Sequence, residues 1–157
     1  MTLEKDIKQT KPFRNNIEKS IVNVMFTNNW LCDQQYKMLK KHGITLQQYN
    51  VLRILKGHSP EPITINGIIE RMLDKMSNAS RLVDKLLHKG LVSRSYRSDD
   101  RRACDVTITQ KGIDFVNELN KEIEIFQKNM SNLSEKEFNT LNELLDKFRG
   151  IEDETTN

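Results

Sequence analysis

The chain has 157 residues, of which 36% are hydrophobic and 30% charged, a balance that suits one folded domain and excludes disordered and collagen-like designs. Its two cysteines, Cys32 and Cys104, make neither a disulfide framework nor a metal cluster, so an apolar core must stabilise the fold and a reducing compartment is expected. Net charge is +3, distributed as +4 over residues 1–70, +5 over 71–111 and −6 over 112–157; a basic middle and an acidic end suit a surface that faces an anion on one side. No apolar run approaches the ~20 residues of a membrane helix. The longest, Ile21 to Phe26, is interrupted by Asn23, so a cytoplasmic protein with no membrane partner is expected.

In chain order, Phe13, Ile17, Ile21, Val24, Leu31 and Leu39 recur mostly at steps of three, four or seven, which predicts one long helix from Phe13 to about Lys41. Gly43 marks its stop. Thr45 with Gln48 has capping-box spacing and opens a second helix through Tyr49, Leu52 and Leu55, ended by Gly57, Pro60 and Pro62. Thr64 caps a short third helix with Ile65, Ile68, Ile69 and Met72, and a tight connection, Leu73 to Met76, leads to Ser77 as the cap of a fourth. Gly90 closes the fourth helix.

Leu91–Tyr96 and Asp105–Thr109 are rich in β-formers and predict paired strands around a charged loop, Arg97 to Ala103. Thr109 then caps a fifth helix with Ile113, Val116, Ile123 and Phe126. Ser134 and Glu137 supply the capping box of a sixth, with Phe138, Leu141, Leu145 and Phe148, before a polar, frayed tail.

Two short helices joined by a turn and followed directly by a basic hairpin form the pattern of a winged helix-turn-helix. At 100° per residue, Ala79, Leu82, Val83 and Leu86 share one side of the fourth helix, and Ser77, Arg81, Asp84, Lys85 and His88 share the other, flanked by Asn78 and Ser80. Arg81 is suited to a bidentate contact with guanine, Asn78 to adenine, Ser77 or Ser80 to a phosphate or base edge, and Lys85 adds charge on the same face. Asp84 would repel a phosphate and is expected to hold a neighbouring basic side chain. An ordinary amphipathic surface helix would show the same division, and it is the hairpin that separates the two cases. Arg101 and Arg102 at its tip, with Arg97, suit a narrow minor groove, and Asp100 suits the role of aiming an arginine.

The runs SRLVDKLLHKGLVSR (residues 80–94) and DDRRACDVTITQKG (residues 99–112) resemble the recognition helix, wing and following helix start of MarR-type transcription factors. The resemblance in helix order covers about Phe13 to Phe148, and in motif about residues 77–112. It implies a mainly α fold with a small β-hairpin: one domain over 1–157, with a DNA-binding lobe at 45–109 and dimerisation helices at 13–41 and 110–148. It further implies that Arg102 is the minor-groove arginine, that Asp100 supports it, and that the protein is a homodimer. Two recognition helices would then enter successive major grooves of a pseudo-palindromic double-stranded operator. A dimer covering promoter DNA suits a repressor more readily than an activator, because blocking needs no further contact, although the sequence leaves that sign open. The chain departs from the family at the corner between the two short helices, where Leu73 and Asp74 stand in place of the usual glycine and apolar residue.

MarR-like proteins often release DNA when a small aromatic acid, a phenolic compound or an oxidant acts beside the DNA-binding lobe. Trp30, Tyr36 and Tyr49, with Phe26, are the aromatic candidates for an effector site, and each would serve equally as core or interface packing. Cys32 and Cys104 read as structural thiols before redox switches, since neither has a cationic activating cluster in sequence. His42, His58 and His88 occur singly, and no phosphate loop or nucleophile elbow is present. The expectation is thus no catalytic residue, no metal and no cofactor. The competing class is a winged-helix adaptor that binds only protein; its fourth helix would present an apolar or acidic outer face.

Overall fold

Thr45 and Gln48 make the reciprocal bonds that start a helix: the Thr45 hydroxyl accepts from the Gln48 N–H at 3.2 Å, and the Gln48 amide oxygen accepts from the Thr45 N–H at 2.9 Å. Comparable local signals set most of the element starts in the computed structural model, which describes residues 2–96, 104–129 and 132–150. The wing residues Arg97, Asp100, Arg101 and Arg102 lie outside the described residues. In order the elements are α1 (Leu3–Asp6), α2 (Asn16–Lys40), α3 (Leu46–His58), β1 (Ile63–Thr64), α4 (Ile65–Arg71), α5 (Ala79–His88), β2 (Val92–Tyr96), β3 (Cys104–Ile108), α6 (Gln110–Asn129) and α7 (Glu135–Phe148). They divide into two compact units, Met1–Val116 and Asn117–Asn157.

In the first unit, α3 packs against α4, α5 and β3, and α5 against β2. Val51, Leu52 and Leu55 of α3, Ile68 of α4, Val83 and Leu86 of α5, Val92 of β2 and Val106 of β3 form its fully buried centre. Each such side chain contributes about 1.5–3 kcal/mol by leaving water. The three antiparallel strands run in the order β1-β3-β2, with Ile63 and Arg94 flanking Val106 and Tyr96 opposite Cys104. Hence the protein is mainly helical with a small antiparallel sheet, as the sequence predicts. The hairpin is extended by a third strand, β1, too short to show period-two patterning and formed because β3 offers its free edge.

Several boundaries differ from the sequence expectation, each for a local reason. The long helix begins at Asn16, three residues after Phe13, because the Asn15 side chain accepts from the Glu18 N–H at 2.8 Å and Glu18 accepts from the Arg14 N–H at 2.7 Å. Gly57 does not end α3. It lies inside the helix, with open space beside its α-carbon, and the helix stops at Ser59, before Pro60. The cap of α5 is Asn78, whose side chain accepts from the Arg81 N–H at 3.1 Å, and Ser77 is bonded elsewhere. A four-residue helix, α1, precedes the long one and was absent from the sequence pattern. Gly43 does adopt the left-handed conformation of a helix stop, at φ +68°.

Two helices leave apolar stripes uncovered. On α2 the residue buried is Leu39, whereas Ile17, Ile21, Val24, Met25 and Trp30 are exposed. In the second unit, the Ser134–Glu137 capping box opens α7 as expected, and α7, described in full, buries none of its residues. Phe138, Leu141, Leu144 and Phe148 recur there at helical spacing on an exposed face.

Candidate nucleic-acid interface

The corner between α4 and α5 is built by an aspartate. One Asp74 carboxylate oxygen accepts from the Met76 N–H at 3.0 Å and the other from the Ser77 hydroxyl at 2.7 Å, an Asx-type turn that needs no glycine. Asn50 of α3 accepts from the Leu73 N–H at 3.0 Å and ties the corner to the core. The connection is therefore Met72–Asn78, longer than the predicted Leu73–Met76, and the unusual Leu73-Asp74 pair finds its explanation in these bonds. Leu73 and Met76 point outward, 88% and 95% exposed.

Beyond the corner α5 divides as its periodicity predicts. Ala79, Val83 and Leu86 are buried and Leu82 is half-buried, while Asn78, Ser80, Arg81, Lys85 and His88 are exposed. Ser77, Asn78, Arg81 and Lys85 come together along one open groove of about 340 Å³, completed by Leu82 and by Thr45, Gln47 and Gln48 from the start of α3. Ser80 stays outside that groove. The lining combines two cations, amides and hydroxyls with no carboxylate, a donor-rich set that suits a phosphate or a base edge. Because the Asn78 side-chain oxygen accepts from the Arg81 N–H at the helix start, its amide nitrogen is the side-chain group that can donate to a ligand.

Asp84, on the same helix, turns to β2, where its carboxylate meets the Arg94 guanidinium at 2.9 Å. This is the role the sequence assigns it: an acid holding a neighbouring base. Cys104 lies close by at the start of β3. Burial pushes its thiol up from the ordinary range, Arg94 offsets part of that, and Asp105 and Asp84 add to it. A thiol so placed stays protonated, in line with a structural role. Cys32 is a free, half-buried thiol within hydrogen-bonding range of the Asn28 side chain, 3.9 Å away.

The three aromatic candidates have unlike surroundings. Tyr49 is buried in the core with Arg53 stacked 6.0 Å from its ring centre, and burial raises its hydroxyl pKa. Trp30 and Tyr36 are about half exposed, and Lys40 lies 5.7 Å above the Tyr36 ring. Six positions apart on α2, Trp30 and Tyr36 occupy different faces of the helix. Among the described residues no cluster of histidine, cysteine, aspartate and glutamate could hold a metal, and no helix is long and apolar enough to cross a membrane.

Thr45, Gln47 and Gln48 are the polar lining residues that sequence reasoning missed. They sit more than thirty positions before Arg81, in a segment whose visible signal is a helix cap, and it is the packing of α3 on α5 that brings them to the groove.

Comparison with known proteins places this geometry. The chain is similar to the HTH-type transcriptional repressor MdtR of Bacillus subtilis, 32% identical over 105 residues that make up 66% of each chain. It is also similar to the HTH-type transcriptional regulator MhqR of the same organism, 31% identical over 87 residues, 55% of this chain and 59% of the other. The chain thus spans two thirds or less of these curated relatives. Among solved structures, a putative MarR-like regulator from Bacillus cereus superimposes with a TM-score of 0.77 at 20% identity, covering 88% of this chain and 99% of that one. The S. aureus MepR–DNA complex does so with a TM-score of 0.71 at 25% identity, covering 83% and 96%. The sequence model of the MarR family matches residues 44–104, the segment from the start of α3 to the start of β3 that carries the groove, and the chain belongs to the MarR family.

Proposed function

We propose that this protein is a dimeric, sequence-specific regulator of transcription that binds double-stranded DNA and acts as a repressor. One observation carries the proposal. Arg81, Lys85, Ser77 and Asn78 line a single donor-rich groove on the outer side of a helix whose inner side is buried, and the one acid on the helix, Asp84, is held by Arg94. In this reading α5 enters the major groove with Arg81 reading a base and Lys85 meeting the backbone, while Gln47 adds a phosphate contact. The residues Arg97, Asp100, Arg101 and Arg102 belong to a wing on the adjacent minor groove. That MdtR is named a repressor, and that MepR has been solved on DNA, supports the same reading. An adaptor that binds only protein is disfavoured by the cationic outer face of α5.

The lobe at 45–109 would carry the DNA contact and the helices at 13–41 and 110–148 the dimer contact. The uncovered stripes on α2 and α7 support this, because large exposed apolar stripes mark surfaces that another chain covers. A two-fold dimer then reads a pseudo-palindrome with half-sites about one helical turn apart. A small aromatic effector would meet either Trp30 or Tyr36, half exposed on different faces of α2, before Tyr49, which the core already encloses.

Selection of bound fragments from random duplex DNA, followed by titration at two salt concentrations, tests the proposal. An enriched palindrome is expected, with Arg81→Ala binding it about 10- to 100-fold more weakly and with relaxed base preference. No enrichment, or full affinity in the Arg81→Ala variant, would reject it.

A further inference from the structure

The far end of α5 is joined to the start of α6 in an unusually complete way. Leu91 N–H donates to the Leu86 carbonyl at 3.1 Å and Gly90 N–H to the Leu87 carbonyl at 2.9 Å. Gly90 has φ +69°. This is the Schellman stop, which occupies carbonyls inside the helix and leaves those beyond it to find other donors. The carbonyls of Lys89, Gly90 and Leu91 are all taken by the segment that opens α6. Lys111 Nζ donates to the Lys89 carbonyl at 2.9 Å, the Thr109 hydroxyl to the Gly90 carbonyl at 2.8 Å, and the Thr109 N–H to the Leu91 carbonyl at 3.1 Å.

The same Thr109 hydroxyl accepts from the Gly112 N–H at 3.1 Å, so one oxygen both caps α6 and binds the end of α5. Gly112 completes the joint. A β-carbon there would fall 2.1 Å from the Leu91 carbonyl oxygen and 2.7 Å from Ile108 Cγ1, so the two backbones touch where a side chain would stand.

We propose that Thr109, Lys111 and Gly112 are positioning residues for DNA recognition, which lock the end of α5 to the first turn of α6 and thereby set the half-site spacing the dimer accepts. The proposal rests on the dimeric DNA-binding reading above. Hydrogen bonds to three consecutive carbonyls hold the joint, and the backbone-to-backbone contact at Gly112 has no side chain of its own to absorb a displacement. The joint lies at one end of α5 and Asn78 at the other, roughly 15 Å away for ten residues. A tilt of about 5° at the joint therefore moves the reading end by about 1 Å, enough to misalign a bidentate hydrogen bond. In the dimeric reading α6 opens one of the segments assigned to the dimer, so a change of tilt at this joint changes the separation of the two reading ends.

The test compares the full-length protein with Thr109→Val/Lys111→Met and with Gly112→Ala. Each is measured on the selected operator and on versions with the half-sites moved by one or two base pairs. The wild type is expected to lose at least about tenfold in affinity on the shifted duplexes. The double variant should lose less than about threefold on them, with its affinity for a single half-site within about twofold of wild type. A double variant that melts as the wild type does and keeps the full spacing penalty overturns the proposal, whether or not Gly112→Ala folds. Amide exchange of Thr109, followed by mass spectrometry without DNA, reads the joint directly. Faster exchange in the double variant supports the lock and unchanged exchange refutes it, even if the wild type selects no duplex and the functional reading itself fails.

Discussion

Arg94 of β2 reaches Asp84 of α5 at 2.9 Å, with the arginine side chain only 18% exposed and the aspartate 51%. The pair ties the first wing strand to the helix that carries Arg81, and it keeps a carboxylate away from the groove where an anion is to bind. Asp84→Ala should therefore cost about 1 kcal/mol in a denaturant titration, since a largely sheltered guanidinium loses a charged partner. The exchanged pair Asp84→Arg/Arg94→Asp should recover part of that loss. Equal midpoints for wild type and Asp84→Ala would show the ion pair to be without energetic weight.

The Asp74 corner offers a separate prediction. Its carboxylate accepts two hydrogen bonds within the turn, from Met76 and Ser77. Asp74→Ala removes both acceptors and should lower stability by about 1–2 kcal/mol. Affinity for the selected operator should fall as well, because Ser77 and Asn78 are presented from this turn. An Asp74→Asn variant keeps one of the two acceptor oxygens and should lie between the two.

Association follows from the exposed stripes. Ile17→Glu/Ile21→Glu on α2, or Leu141→Glu/Leu144→Glu on α7, places charge on apolar faces that the dimer reading buries. Light scattering should report twice the chain mass for wild type and a shift toward the single chain for either variant. A wild type that is monodisperse at one chain mass, yet binds a palindrome tightly, would contradict the assignment.

Cys104 bears on redox sensing. Because burial raises its thiol pKa, the reactive thiolate is scarce below that raised value and appears only as pH climbs past it. In a Cys32→Ser background, alkylation of Cys104 should be slower than that of free cysteine at pH 8, with its pH midpoint displaced upward. Operator affinity should be unchanged after mild peroxide treatment. Rapid modification at neutral pH would point instead to an activated thiol.

The sequence by itself determined whatever depends on neighbours along the chain. The Thr45–Gln48 and Ser134–Glu137 boxes, the Thr64 and Thr109 caps, and the buried row Ala79, Val83 and Leu86 are all local, because a cap or a helical period is decided within one or two turns. The polar outer side of α5, and Asp84 as the acid that must find a base, were legible for the same reason. Only the tertiary structure decided which base Asp84 meets, that Gln47 and Thr45 share a groove with Arg81, and that β3 gains Ile63 and Thr64 at its edge. It also decided that Asp74 can stand in for a corner glycine, and that Gly112 lies against the Leu91 carbonyl. These relationships join residues far apart in sequence, and they exist because α3, α5 and the sheet bury a common core; no periodicity in the chain encodes them.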